Sequence, residues 1–419
     1  MQQTQKTQIY SPADIATALT GWGLSCKENT FELAPTVVNY HFDLENPVDI
    51  HRAKKYAETL SAFLHIPVKY KRSEKASFCF SVPREERYFP KFWEYAGVLN
   101  GKEPGEILFG VNEQGQAITR NIRKTKSMLV AGSSGGGKSV CLNSIIASLC
   151  CYSGDFGMVL IDLKRCEFEL WKNDPHLAAP VQFEYEGAVD CLRSVLIEIE
   201  NRYKRMQQEG IRSATLDKFP LLVTIIDEYA ELASRATNKE ELDTIVSRIA
   251  ATGRACNVFI IIATQHAVSS IISNVIKSNL QSRIGLRTTN IAQSSCILGA
   301  RDCVDLLGYG DSYMQFDGVP GLQRIQVCFL SDEEINEIEK DCKPKTWANK
   351  KETQEQQEGQ TTTKELWARF GGKSFVQKIK KWWNNVTRKE EKAYISTNFK
   401  MPPTTTELNY ADCVIDDDE

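Results

Sequence analysis

Short apolar, β-branched runs recur along this chain, separated by longer stretches with helical spacing. Five of them, SMLVAG (127–132), GMVLIDL (157–163), LLVTIIDE (221–228), VFIIIAT (258–264) and SRIGLR (282–287), are apolar at successive positions instead of alternate ones. A strand wetted on one face alternates, whereas a strand covered on both faces does not. These runs therefore predict a mainly parallel sheet clothed by helices, an α/β domain over residues 106–343. Upstream, TVVNYHFDL (36–44), VKYKR (68–72) and FCFSVP (78–83) predict three strands. Ile50, Ala53, Ala57, Leu60 and Leu64 fall on one face of a predicted helix over 48–64. The order β-α-β-β predicts a small α+β domain with an N-terminal extension over residues 1–105. NKKETQEQQEGQTTT lies in a polar linker at 344–363 that has little to bury. Residues 364–419, a basic amphipathic segment and an acidic tail, are expected to be largely disordered.

Composition narrows the class without naming a chemistry. Hydrophobic residues make up 42% and charged residues 25% of 419, an ordinary globular mix. The net charge of −3 supplies no overall basic field, so any nucleic acid must meet a local patch or the lining of a ring. Thirteen cysteines are scattered without a CxxC pair and read as buried thiols in a reducing compartment. No apolar run reaches about 18 residues, and the N-terminus lacks the core of a signal peptide. The expected location is cytoplasmic.

The chemistry concentrates at three strand ends. Gly132-Ser133-Ser134-Gly135-Gly136-Gly137-Lys138-Ser139 fits GxxxxGK[ST], with a hydrophobic strand before it and the helix-like VCLNSIIASLCC after it. Glycines let such a loop curl until its N–H groups, through Val140, converge on phosphate at a helix N-terminus. Lys138 is expected to reach the β- and γ-phosphates of ATP, and the Ser139 hydroxyl to bind Mg²⁺. Asp227-Glu228 closes the apolar run at 221–228. Asp227 would act on the metal and Glu228 as general base for the attacking water. An acidic pair favoured by a following helix dipole is the bland alternative. Gln265, after VFIIIAT, could orient that water or be a polar strand end.

With these residues in view, the chain resembles the FtsK/SpoIIIE motor family over about residues 34–332. GSSGGGKSVCLN, IDLKRCEFELW with the later PHL (161–177), EIENRYKRMQQEGIRSATLDK (198–218), IIDEYAEL, RIAATGRACNVFIIIATQ, IKSNLQSRIGLRT and LLGYGDSYMQF follow in the family's order. The resemblance implies a RecA-like P-loop ATPase, a homohexameric ring with DNA through its pore, and ATP at subunit interfaces. It also implies an arginine reaching the neighbour's nucleotide, matched here by Arg283, with Arg254 and Arg287 as weaker matches. The family's pore loop matches TTNIAQSS (288–295), which carries no charge; Arg301 follows it. No membrane-spanning start or C-terminal winged helix is evident, which points toward coupling ATPases of mobile elements. A related ATPase driving protein secretion is the alternative, and a non-enzymatic nucleotide switch is a third. In KSFVQKIKKWWNNVTRK (373–389), Phe375, Val376, Ile379, Trp382, Trp383 and Val386 share a helical face. Residues 364–392 carry nine basic and three acidic groups. That segment could meet a membrane surface, DNA, a relaxase or replication partner, or its own chain.

Overall fold

The computed structural model describes residues 10–72, 77–84, 86–152 and 156–341. The linker, the amphipathic segment and the acidic tail lie outside them.

The N-terminal portion is an antiparallel sheet of β1 (Cys26–Leu33), β2 (Val37–Leu44), β3 (Lys69–Arg72) and β4 (Ser77–Pro83), in the order β1-β2-β4-β3. The helices Pro12–Gly21 and Ile50–Leu64 accompany it, and Leu19, Ala53, Ala57 and Leu60 join Phe42, Phe78 and Phe80 in one core. The helix face read from Ile50, Ala53, Ala57 and Leu60 is thus the face that packs. Two elements escaped that reading, the first helix and β1. β1 is an edge strand with five successive exposed residues, so it lacks the alternation that signals a half-buried strand.

Nine strands build the larger sheet. They are β5 (Glu106–Asn112), β6 (Ala117–Asn121), β7 (Met128–Ala131), β8 (Phe156–Ile161), β9 (Leu221–Ile226), β10 (Val258–Thr264), β11 (Ser282–Leu286), β12 (Asp311–Gln315) and β13 (Gln323–Gln326). Their order is β6-β5-β13-β12-β11-β7-β10-β9-β8. The five predicted strands form the parallel half, β11-β7-β10-β9-β8, and β7, β9 and β10 are buried at every position. The other half is antiparallel, which corrects the expectation of a mainly parallel sheet. β12 and β13 had no apolar signature because they bury paired polar groups. Arg324 donates two hydrogen bonds to Asp311, at 3.0 and 2.8 Å, and the Ser312 hydroxyl donates to the Ile325 carbonyl at 2.7 Å.

Crossover helices cover this sheet. Arg202, in the Glu-x-Arg-Tyr stretch of the helix Tyr185–Gln208, is buried and shows how. Its guanidinium donates to the carbonyls of Pro220 (2.7 Å) and Cys256 (2.8 Å) and to Glu198 (2.7 Å). One arginine so ties the helix to the segments leading into β9 and β10. Most of the described cysteines are buried, as expected, and burial pushes the Cys141 thiol up to about 12, which keeps it protonated. No helix among the described residues is long and apolar enough to cross a membrane.

Candidate functional site

The carboxyl ends of β7, β9 and β10 bring the predicted groups together. Gly132–Gly137 joins β7 to the helix Lys138–Tyr152. Gly135 (φ 73°) and Gly137 (φ 101°) adopt left-handed conformations that favour glycine. A Cβ on Gly137 would stand 2.2 Å from the Gly310 nitrogen, and one on Gly132 2.5 Å from the Leu286 Cβ. Hydrogen bonds hold the loop's outer side. Ser133 N donates to the Arg287 carbonyl (2.7 Å), while Tyr309 N and Gly310 N donate to the carbonyls of Gly135 (2.9 Å) and Gly136 (2.8 Å). With those carbonyls turned outward, the N–H groups of Gly135, Gly137, Lys138 and Ser139 find no acceptor among the described residues. Unpartnered amides at the start of a 15-residue helix suit a phosphate chain. A Gly137→Ala protein should remain folded by circular dichroism yet lose at least tenfold in ATP affinity by calorimetry; undiminished affinity would show that the loop does not need this geometry.

The charged groups interlock across the loop. Lys138 is buried and its ammonium contacts the Asp227 carboxylate, also buried. Burial pushes the Asp227 carboxyl up to about 6, against the opposing pull of the Lys138 ammonium, with Glu167 and Asp162 adding to the rise. Glu228 is buried too. It accepts hydrogen bonds from the Thr264 hydroxyl (2.6 Å), the Gln265 N–H (3.1 Å) and the Lys164 ammonium (3.2 Å). The Gln265 side chain is half-buried and has no partner among the described residues.

Three residues at the site, Asp162, Lys164 and Glu167, were not among those expected there. Asp162 follows β8 and accepts the N–H groups of Lys164 (3.1 Å), Glu167 (2.8 Å) and Phe168 (3.1 Å), folding that turn toward the loop. The turn presents Lys164 to Glu228 and Glu167 to the Ser139 hydroxyl, which donates to it. A charged strand end beside the other two was the available signal. The donor set of Ser139, Asp227 and Glu167, hard oxygens beside a phosphate cradle, fits Mg²⁺.

The remaining predicted positions lie apart. Arg283, the second residue of β11, pairs with Leu129 near the start of β7, at the amino end of these strands and away from the loop. Its guanidinium donates to the carbonyls of Leu280 (3.3 Å), Ile297 (3.1 Å) and Lys277 (3.0 Å), so here it serves the fold. Arg254, just before β10 at that same amino end, is exposed and its side chain has no partner among the described residues. The segment 288–295 is not an open loop: Asn290 caps the helix Ile291–Leu298, accepting the Gln293 N–H at 2.9 Å. The Ser294 hydroxyl is spent inside, donating to the Ala300 carbonyl at 2.6 Å. Cys150, Asp174 and His176 form a buried group with metal-ligand chemistry. Its members are hydrogen-bonded to one another, and His176 stacks on Phe156 at 4.5 Å, a structural use of the Pro-His-Leu stretch.

The chain is similar to the DNA translocase FtsK of Oceanobacillus iheyensis, 28% identical over 365 residues, covering 81% of this chain and 46% of that one. It is also similar to the DNA translocase SpoIIIE of Bacillus subtilis, 29% identical over 362 residues, covering 80% and 46%. The chain thus spans about half the length of these relatives. In fold it resembles the pCW3 conjugation coupling protein TcpA in its monomer form with ATPγS, with a TM-score of 0.56 at 20% identity over 78% of this chain and 98% of that one. The sheet is the mixed α/β sheet of a RecA-like P-loop ATPase, and the family model for FtsK/SpoIIIE matches residues 96–217. Over residues 96–217, then, the chain is similar to the FtsK/SpoIIIE family.

Proposed function

We propose that this chain is an ATP-hydrolysing motor that moves DNA and works as a ring-shaped oligomer. The observation that carries the ATPase reading is Glu228. It is a buried carboxylate fixed by Thr264 and Gln265 on the γ side of a loop whose amides await phosphate. A P-loop kept only for assembly has no need of a base so placed.

In this reading the loop amides of Gly135, Gly137, Lys138 and Ser139 bind the phosphate chain, and Lys138 leaves Asp227 for the β- and γ-oxygens. Water attacks the γ-phosphorus, its proton passes to Glu228, and the bond to the β–γ bridging oxygen breaks to release ADP. Gln265 orients the water, and Lys164 must yield its hold on Glu228 for the base to act. Ser139 and Asp227, with Glu167 behind Ser139, would hold Mg²⁺, which neutralises charge on the transferring phosphate when bound. Among arginines that could reach a neighbour's nucleotide, Arg254 is the better placed. Using Arg283 would mean surrendering three carbonyl hydrogen bonds.

The DNA assignment draws on the two curated relatives, both named DNA translocases. Transfer of mobile-element DNA, with residues 106–343 as motor and 1–105 as accessory domain, is the finer form of the proposal. With the helix at 291–298 closing off the expected pore loop, exposed Arg301 is the phosphate contact we assign. Steady-state phosphate release should rise several-fold on adding DNA, with a stimulation that falls steeply between about 50 and about 200 mM salt. A rate indifferent to single- and double-stranded DNA alike would sink the DNA assignment. Recovery of a secreted protein with the purified chain would favour the secretion reading.

A further inference from the structure

Tyr309 is an aromatic residue that the reaction leaves unused. It sits in Gly308-Tyr309-Gly310, where three successive residues have positive φ, 75°, 51° and 88°. Left-handed backbone at a tyrosine is unfavourable, so the surroundings must impose it. They do. Tyr309 N and Gly310 N donate to the P-loop carbonyls of Gly135 and Gly136, the Gln326 amide donates to the Tyr309 carbonyl at 2.8 Å, and Asp311 accepts the Leu307 N–H at 2.9 Å. Arg87 donates to the Leu307 and Gly308 carbonyls from the other side. The backbone is pinned to the phosphate loop, yet the residue is 68% exposed. Among the described residues its ring stacks on no aromatic ring and its hydroxyl makes no hydrogen bond, although the Arg87 guanidinium interacts with it electrostatically.

The sheet order says what that ring faces. β7 carries the P-loop, with β10 and then β9 on one side of it and β11 and then β12 on the other. Glu228 and Gln265 follow β9 and β10, so the γ-phosphate must point to that side. The ribose and base then leave the cradle on the opposite side, toward the connection from β11 to β12, where Tyr309 stands. We infer that the Tyr309 ring is the shelf on which the base of the bound nucleotide stacks, and that it selects purine over pyrimidine triphosphates. Stacking needs only a π face, so adenine and guanine should be accepted alike, while a smaller pyrimidine covers less of the ring. The inference deepens the ATPase reading and rests on it.

The test is calorimetric titration of the full chain with Mg²⁺ and two probes, ATP and inorganic tripolyphosphate, the second having phosphates but no base. Tyr309→Ala should weaken ATP about tenfold, the order of a lost base–aromatic stack, and leave tripolyphosphate unchanged; Tyr309→Phe should bind ATP as the wild type does. The wild type should prefer ATP and GTP over UTP, and Tyr309→Ala should lose that margin. If Tyr309→Ala weakens both probes equally, the residue merely shapes the P-loop and the shelf is refuted. It is equally refuted if ATP affinity does not change. A wild type that binds neither probe would instead overturn the nucleotide reading beneath it.

Discussion

A Glu228→Gln protein should bind ATP with near wild-type affinity and hydrolyse it at least a hundredfold more slowly, since a positioned general base contributes about 10²–10⁴ in rate. The substitution is nearly isosteric. An amide oxygen can still accept the Thr264 hydroxyl and the Gln265 N–H, so the strand ends of β9 and β10 stay joined. What disappears is the capacity to take a proton from water. Lys164 loses its ionic partner, but at 36% side-chain exposure it can turn to solvent at little cost. Rapid-quench measurement of one turnover, beside equilibrium binding of ATP, separates the two effects. Hydrolysis within a few-fold of wild type would mean that the base lies elsewhere and that the Glu228 cluster is structural.

Asp311→Ala should cost about 3 kcal/mol of stability, the low end of the penalty for breaking a buried ion pair, because Arg324 keeps a weaker pairing with Glu113 at 3.8 Å. Asp311 has no exposed side-chain surface and Arg324 only 5%. Besides two hydrogen bonds from Arg324, Asp311 accepts the Leu307 N–H, so its loss also frees the turn that pins the P-loop. Two readouts are therefore expected: a lower urea midpoint at unchanged slope, and weaker nucleotide binding in the protein that still folds. Replacing both partners with apolar residues, as in Asp311→Leu with Arg324→Met, should recover much of the stability but not the nucleotide affinity, because the Leu307 N–H stays without its acceptor. If the single variant unfolds at the wild-type midpoint, this pair does not hold the antiparallel half of the sheet to the site.

Part of the site could be read from the chain because the information was local. Gly132–Ser139 is a contiguous loop between a strand and a helix, and its glycines stand where a side chain would collide or a left-handed turn is required. Lys138 and Asp227, 89 residues apart, were assigned separately, one to the phosphates and the other to the metal, and the fold brings them into contact. Glu167, Lys164 and Tyr309 were out of reach for the opposite reason. Nothing in the stretch around Glu167 says that Asp162 gathers three backbone N–H groups and swings the turn under Ser139. Nothing in Gly-Tyr-Gly says that its amides dock on a loop some 170 residues earlier. Arg283 was matched by position alone, whereas three carbonyls from neighbouring segments decide what its guanidinium does.

The parallel half of the sheet, the phosphate loop and the acidic strand end were legible in the residues alone, because burial on both faces and glycine-dependent backbone leave direct marks on residue type. The pairing of β12 with β13 and the supports of the site became visible only in the folded chain. Those rest on polar side chains whose partners are distant in the chain, and a buried Arg324 or Gln326 looks like any surface residue until Asp311 and the Tyr309 carbonyl are beside it.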